Sequence, residues 1–157
     1  MLRLEKVTGR NVWDILKLRV RQEQRDFVAS NDVSIIEAYT AVTGGGHAFP
    51  FGIYEGDAPV GFLMIGYDTD ACWEDAPAIA KSSYTLWRLM IDEKYQRRGY
   101  GREAVVAFIR TEPCGKADCC WLSYEPDNAV ARALYASFGF VETGEWDGAE
   151  QIAVLKL

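Results

Sequence analysis

The apolar positions of this chain fall into short blocks whose spacing alternates between the strand period of two and the helix period of about 3.6. Residues 2–7 set Leu2, Leu4 and Lys6 against Arg3, Glu5 and Val7, which predicts a short mixed strand. Asn11 is placed to cap a helix whose apolar set is Val12, Ile15, Leu16 and Val20. A second helix is expected to begin near Ser34 and bury Ile35, Ile36, Ala38, Tyr39 and Val42. It stops at Gly44-Gly45-Gly46, where three glycines remove helix propensity. Strands are expected over 48–55 and 60–67, joined by a turn at Gly56-Asp57, and a third over 83–91, rich in aromatic and apolar residues. A helix over roughly 101–112 buries Ala104, Val105, Phe108 and Ile109 and ends where Glu112 precedes Pro113. Residues 119–124 read as another strand. Asp127 or Asn128 then caps a helix that runs to Phe138, with Gly139 in the position just past its end. Phe140-Val141 and 151–157 supply the last strands. The order β-α-α-β-β-β-α-β-α-β-β predicts a mixed α/β fold without internal repeats.

A chain of 157 residues is expected to form one domain, 1–157, large enough to bury a core. Its 49% hydrophobic and 25% charged residues exclude broad disorder. A net charge of −6 argues against a nucleic-acid partner and is compatible with a cationic substrate. Residues 68–82 carry Asp68, Asp70, Glu74 and Asp75 against Lys81 alone, an acidic loop whose plainest role is a solvated connection. Cys72, Cys114, Cys119 and Cys120 match no zinc spacing, and His47 is the single histidine, so no metal is expected. The thiols are expected to be reduced and structural, with Cys119 and Cys120 on opposite faces of a strand. The first residues lack the apolar core of a signal peptide, and no apolar run reaches the ~20 residues that span a bilayer. The expectation is a soluble, cytoplasmic protein with no membrane partner.

Gln96-Arg97-Arg98-Gly99-Tyr100-Gly101 lies between the third apolar strand of the middle region and the helix that follows. Two basic side chains ahead of alternating glycines suit a loop whose N–H groups close around a phosphate at a helix N-terminus. Two other readings compete. Residues 99–104 also fit the dinucleotide fingerprint G-x-G-x-x-A, with Asp118 near the place of a ribose-binding acid. The strand before them lies past the middle of the chain, behind an antiparallel hairpin, and too little chain follows to build a doubly wound sheet. The third reading is a solvated turn with incidental arginines. Downstream, Asn128, Ala131 and Tyr135 are spaced by three and four, so an amide and a phenol share one helical face. Taken alone, Tyr135 is more often an amphipathic core position with its hydroxyl at the surface.

Together, the Gln96–Gly101 loop and the block Asn128-x-x-Ala131-x-x-x-Tyr135-x-x-x-Gly139-Phe140 resemble the GNAT superfamily of acyl-CoA-dependent N-acetyltransferases, and the strand order agrees across nearly the whole chain. The resemblance implies a GNAT fold: a mostly antiparallel sheet, splayed where acetyl-CoA enters and flanked by helices. It places the pyrophosphate on the backbone of residues 97–102, including Arg102, and the pantetheine arm along Leu89, Met90 and Ile91. Asn128 would contact the cofactor, and Tyr135 would protonate the departing thiolate. The chemistry is consistent, because phenol and thiol reference pKa values lie within ~1.5 units. A strand N–H near Met90 would stabilise the oxyanion of a tetrahedral intermediate. The acidic base that some polyamine acetyltransferases carry on the fourth strand aligns with Trp87, so Glu125 is the candidate to deprotonate the amine.

Upstream, Gln24-x-x-Phe27-Val28-Ala29-Ser30-Asn31, followed by Ser34, and Leu86-Trp87-Arg88-Leu89-Met90-Ile91-Asp92 look like the bacterial spermine/spermidine acetyltransferase branch. The resemblance places the acceptor pocket at the first block. It implies that Glu23, Glu37, Asp70, Glu74 and Asp75 hold the ammonium groups of a polyamine, with Gln24 nearby and Phe27, Trp73 or Trp87 facing its chain. Other acceptors remain open: another small amine, an antibiotic amine or a protein amino group. So does a non-catalytic acyl-CoA sensor. Dimers are common in the superfamily, so a homodimer is admitted.

Overall fold

The structure, a computed structural model, describes residues 1–72, 74–109 and 117–157. Cys114, Trp73 and the expected helix end at Glu112-Pro113 lie outside those residues. The elements follow the expected order: β1 (Arg3–Lys6), α1 (Val12–Ile15), α2 (Asn31–Thr43), β2 (His47–Glu55), β3 (Ala58–Tyr67), β4 (Tyr84–Ile91), α3 (Tyr100–Ile109), β5 (Cys119–Tyr124), α4 (Ala129–Ala136), β6 (Val141–Asp147) and β7 (Glu150–Lys156). The strands form a seven-stranded sheet in the order β1-β2-β3-β4-β5-β7-β6. Every neighbouring pair is antiparallel except β4 and β5.

Alternation along β3 builds the two layers. Leu63 and Ile65 face the cluster that contains Ala104, Val105 and Phe108 of α3, with Tyr135 of α4 packed at its edge. Phe62 and Met64 face the opposite cluster, with Ile15 of α1, Ala38 and Ala41 of α2, and Met90. Helices therefore cover both faces of the sheet.

Three elements depart from expectation. The first helix ends at Ile15 rather than continuing to Val20, because the chain beyond it is drawn to β4: Arg19 N–H donates to the buried Asp92 carboxylate at 2.9 Å, and Glu93 N–H donates to Arg19 C=O at 2.8 Å. α2 starts three residues early, at Asn31, and turns a different face inward. Its buried residues are Asn31, Ser34, Ala38 and Ala41, small enough for the helix to lie close on the sheet, while Ile36 is 62% and Tyr39 71% exposed. The last hairpin is longer than Phe140-Val141 implied: β6 runs to Asp147 and returns through Gly148, whose φ is +58°. The loop over 68–82 is pinned rather than merely solvated. Asp68 accepts Ser82 N–H at 2.6 Å and donates its own N–H to Ser83 C=O at 3.0 Å. Cys120 is buried and Cys119 half-buried, on opposite faces as expected, and both are free thiols.

Gly61 of β3 pairs with Ile91 at the end of β4, and a Cβ there would stand 2.5 Å from the Met90 carbonyl oxygen. Gly61→Ala should therefore lower unfolding stability by about 1–3 kcal/mol in urea titration. An unchanged midpoint would contradict so close an approach.

Candidate active site

β4 and β5 pair only at Tyr84–Cys120 and Thr85–Trp121. Beyond Thr85, β4 stays paired with β3 as far as Ile91, and β5 stays paired with β7 as far as Tyr124. Trp87 is the extra residue of a bulge in β4, since Leu86 faces Ile65 and Arg88 faces Met64. The middle of the sheet is thus open along one edge of each strand. A cleft of about 1140 Å³ fills the gap, lined by Leu89, Met90 and Ile91 on one wall and by Ser123, Tyr124 and Glu125 on the other.

The loop after β4 closes one part of this cleft. Gly99 has φ +81° and Arg97 φ +63°, a left-handed conformation that an arginine adopts only when its surroundings hold it there. Among the described residues, no acceptor takes up the backbone N–H groups of 98–102, whereas Glu103 N–H already bonds Gly99 C=O at 3.0 Å. The α3 N-terminus therefore presents a row of free donors with the positive end of the helix dipole behind them. Arg97, Gly99, Tyr100, Gly101 and Arg102 line the cleft. Arg98 does not; its guanidinium lies 5.4 Å from the centre of the Tyr95 ring. Gln96 donates to Gln24 at 2.7 Å and to Ile91 C=O at 2.9 Å. An anionic pyrophosphate fits this donor row and its two flanking arginines, and an extended amide-bearing arm fits the free edge of β4.

On the opposite wall, Asn128, Ala131 and Tyr135 all face the cleft. Asn128 caps α4, its Oδ1 accepting Ala131 N–H at 3.1 Å, which leaves its amide N–H₂ for a ligand. Tyr135 stacks on Tyr124 with ring centres 6.1 Å apart, and Phe140 meets it edge-on at 5.8 Å. Burial, and secondarily the neighbouring Cys120, push the Tyr135 phenol above its ordinary pKa. Tyr124 is pushed up to about 12 by burial and by donating to Glu142, a 2.7 Å bond, while Arg132 pairs with the same carboxylate at 2.7 Å.

The expected acceptor residues divide. Glu23, Gln24, Phe27, Glu37 and Trp87 line the cleft, whereas Asp70 and Glu74 do not, although their neighbours Ala71 and Cys72 do. Glu37 is ion-paired with Arg88 at 2.8 Å. Arg88 is one lining residue that sequence reasoning missed; Asp147 and Glu150 of the last hairpin are two more. Ser123 donates to Glu150 at 2.5 Å and lies 3.5 Å from Asp147, whose pKa is raised by burial and by Glu150. The Asp147-Gly148 pair was the available signal, since Asp-Gly marks tight hairpins.

The profile of the Acetyltransferase (GNAT) family matches residues 10–140. The chain belongs to the GNAT family. It is 32% identical over 166 aligned positions to the spermine/spermidine N(1)-acetyltransferase of Bacillus subtilis, covering 99% of each chain. It is 32% identical over 102 positions to the [ribosomal protein bS18]-alanine N-acetyltransferase of Escherichia coli, covering 61% of this chain and 68% of that one. The PaiA N-acetyltransferase of Thermoplasma acidophilum, solved with coenzyme A, superposes with a TM-score of 0.71 at 13% identity, over 100% of this chain and 99% of that one. The protein is thus an acetyl-CoA-dependent N-acetyltransferase with the GNAT fold. Among the described residues, no helix is long and apolar enough to cross a membrane.

The raised tyrosines carry a pH signature. A folded-state Tyr124 pKa of about 12, against an ordinary 10.0, means the folded protein keeps a proton that the unfolded chain releases. That stability is complete below pH 10 and is lost as pH rises towards 12. Tyr124→Phe should flatten the alkaline fall of unfolding free energy over that interval. An identical slope in the variant would contradict the assignment.

Proposed function

We propose that the acceptor is a polyamine, spermine or spermidine, acetylated on a primary amine within the cleft between β4 and β5. The observation that carries this reading is the distribution of charge along the cleft. Arg97 and Arg102 flank the free N–H donors, while Glu23, Asp26, Glu125, Asp147 and Glu150 contribute carboxylates to its walls. A chain of ammonium groups suits that acidic part, and Phe27 and Trp87 offer faces for its methylenes. The full-length likeness to a spermine/spermidine acetyltransferase supports the same acceptor. Glu37 contributes less charge than its position suggests, because Arg88 neutralises it.

Bound acetyl-CoA supplies the acetyl group as a thioester. In this reading the free N–H donors of 98–102 and the Asn128 amide bind it, and the open edge of β4 at Leu89–Ile91 orients its arm. A β4 N–H near Met90 would stabilise the carbonyl oxygen as charge develops there. Glu125, exposed on the cleft wall, takes the ammonium proton through solvent so that the amine attacks as a neutral nucleophile. Tyr135 gives its proton to the leaving sulfur. Burial keeps that phenol loaded at neutral pH; it also weakens the acid, which the growing negative charge on sulfur offsets.

The partial likeness to bS18-alanine acetyltransferases favours, as a second reading, the α-amino group of a protein. An acceptor panel separates the two. Thiol release from acetyl-CoA should follow spermine or spermidine far more strongly than an alanyl peptide, an aminoglycoside or a small monoamine. Preference for the peptide would transfer the assignment, and stabilisation by acetyl-CoA without thiol release for any amine in the panel would indicate a sensor. Tyr135→Phe should lower kcat roughly 10²-fold while leaving the Kd for coenzyme A largely unchanged. A parallel loss of affinity would remove Tyr135 from proton transfer.

A further inference from the structure

We propose that Gln24 is a positioning residue for the phosphate loop, acting through Gln96, rather than a ligand of the acceptor amine. Residues 16–29 contain no regular structure except a single turn at Gln22–Gln24, yet they form a wall of the cleft. Three long-range hydrogen bonds hold them to the segment after β4. Two join main chain at Arg19 to Asp92 and Glu93, at 2.9 and 2.8 Å, and Asp92 is only 5% exposed. The third is the Gln96–Gln24 bond of 2.7 Å, which lies closest in sequence to the glycines.

The chemistry of Gln96 gives that third bond its role. A side-chain amide has two donor hydrogens. One goes to Ile91 C=O at 2.9 Å and the other to Gln24, so the group is fully oriented. The Ile91 carbonyl can only accept, which fixes the Gln96 nitrogen on that side and requires Gln24 to present its oxygen. Gln96 immediately precedes Arg97, the residue at φ +63°. A non-glycine residue in that region is held by its neighbours, and the aim of the N–H groups of 98–102 depends on it. Gln24 is thus the outer support of the loop. The cleft wall assigned to the acceptor and the loop assigned to pyrophosphate are set as one unit.

Calorimetric titration with coenzyme A alone tests this without any acceptor, so its outcome is independent of the polyamine assignment. Gln24→Leu should weaken coenzyme A binding about three- to tenfold, the net worth of one part-buried hydrogen bond. Gln24→Glu keeps an acceptor for Gln96 and should bind as the wild type does. Gln96→Leu combined with Gln24→Leu should be no weaker than the weaker single variant, since both remove the same bond. Gln24→Ala gives the same reading if added apolar bulk disturbs folding. Unchanged coenzyme A affinity in both Gln24→Leu and Gln24→Ala, with only the acceptor KM raised, would overturn the proposal and return Gln24 to the acceptor. Additive losses in the double variant would overturn it as well.

Discussion

Past Thr85 and Trp121, the two parallel strands at the centre of the sheet no longer share hydrogen bonds, although each remains fully employed by its other neighbour. Backbone N–H and C=O groups in the middle of a sheet are ordinarily paired, because an unpaired buried group costs about as much as a lost hydrogen bond. An open edge there persists only where solvent or a ligand reaches it. The bulge at Trp87 re-aims β4 where the parting begins, and α3 and α4 start beyond the ends of the two strands. The parting therefore places the α3 N-terminus, Tyr135 and two free strand edges around one space.

That space is electrically divided. Its loop end offers hydrogen-bond donors, a helix dipole and guanidinium groups; its walls elsewhere offer carboxylates from four separate stretches of chain. An anionic cofactor and a cationic acceptor can thus occupy adjoining volumes without competing for the same partners. Arg21 and Arg88 are the cations within the acidic part, and the pairing of Arg88 with Glu37 confines its charge. The tyrosines form a rigid boundary. Tyr124 is fixed at its hydroxyl by Glu142, and Tyr135, which lines the cleft, is held by stacking against Tyr124.

Much of this was legible in the chain. Element order followed from periodicity, because strands buried on two faces and amphipathic helices impose distinct spacings. That the glycine loop before α3 and the Asn128–Tyr135 face belong to one site was legible because each is local: a few consecutive residues, or one helix face, that the fold brings to the same cleft. What stayed hidden was long-range. Nothing near Leu16 or Val20 announces that Arg19 will be captured by Asp92, which stands 73 positions away. α2 buries small polar and alanine positions instead of Ile36 and Tyr39, because close approach to the sheet outweighed apolar content. Gln24 read as an acceptor residue from its neighbours in sequence, and its hydrogen bond with Gln96, 72 positions away, was not legible there. Asp147 and Glu150 entered the cleft only once the last hairpin folded back beside β5.

The central claim is that the parting of β4 from β5, together with the free donors before α3, is the grip for coenzyme A. Residue-level amide hydrogen exchange with and without saturating coenzyme A tests it most directly. Protection should rise at 98–102 and along β4 beyond Thr85, while amides of the fully paired β2–β3 hairpin stay as they were. Binding that left 98–102 unprotected, or that protected a different face of the sheet, would contradict it.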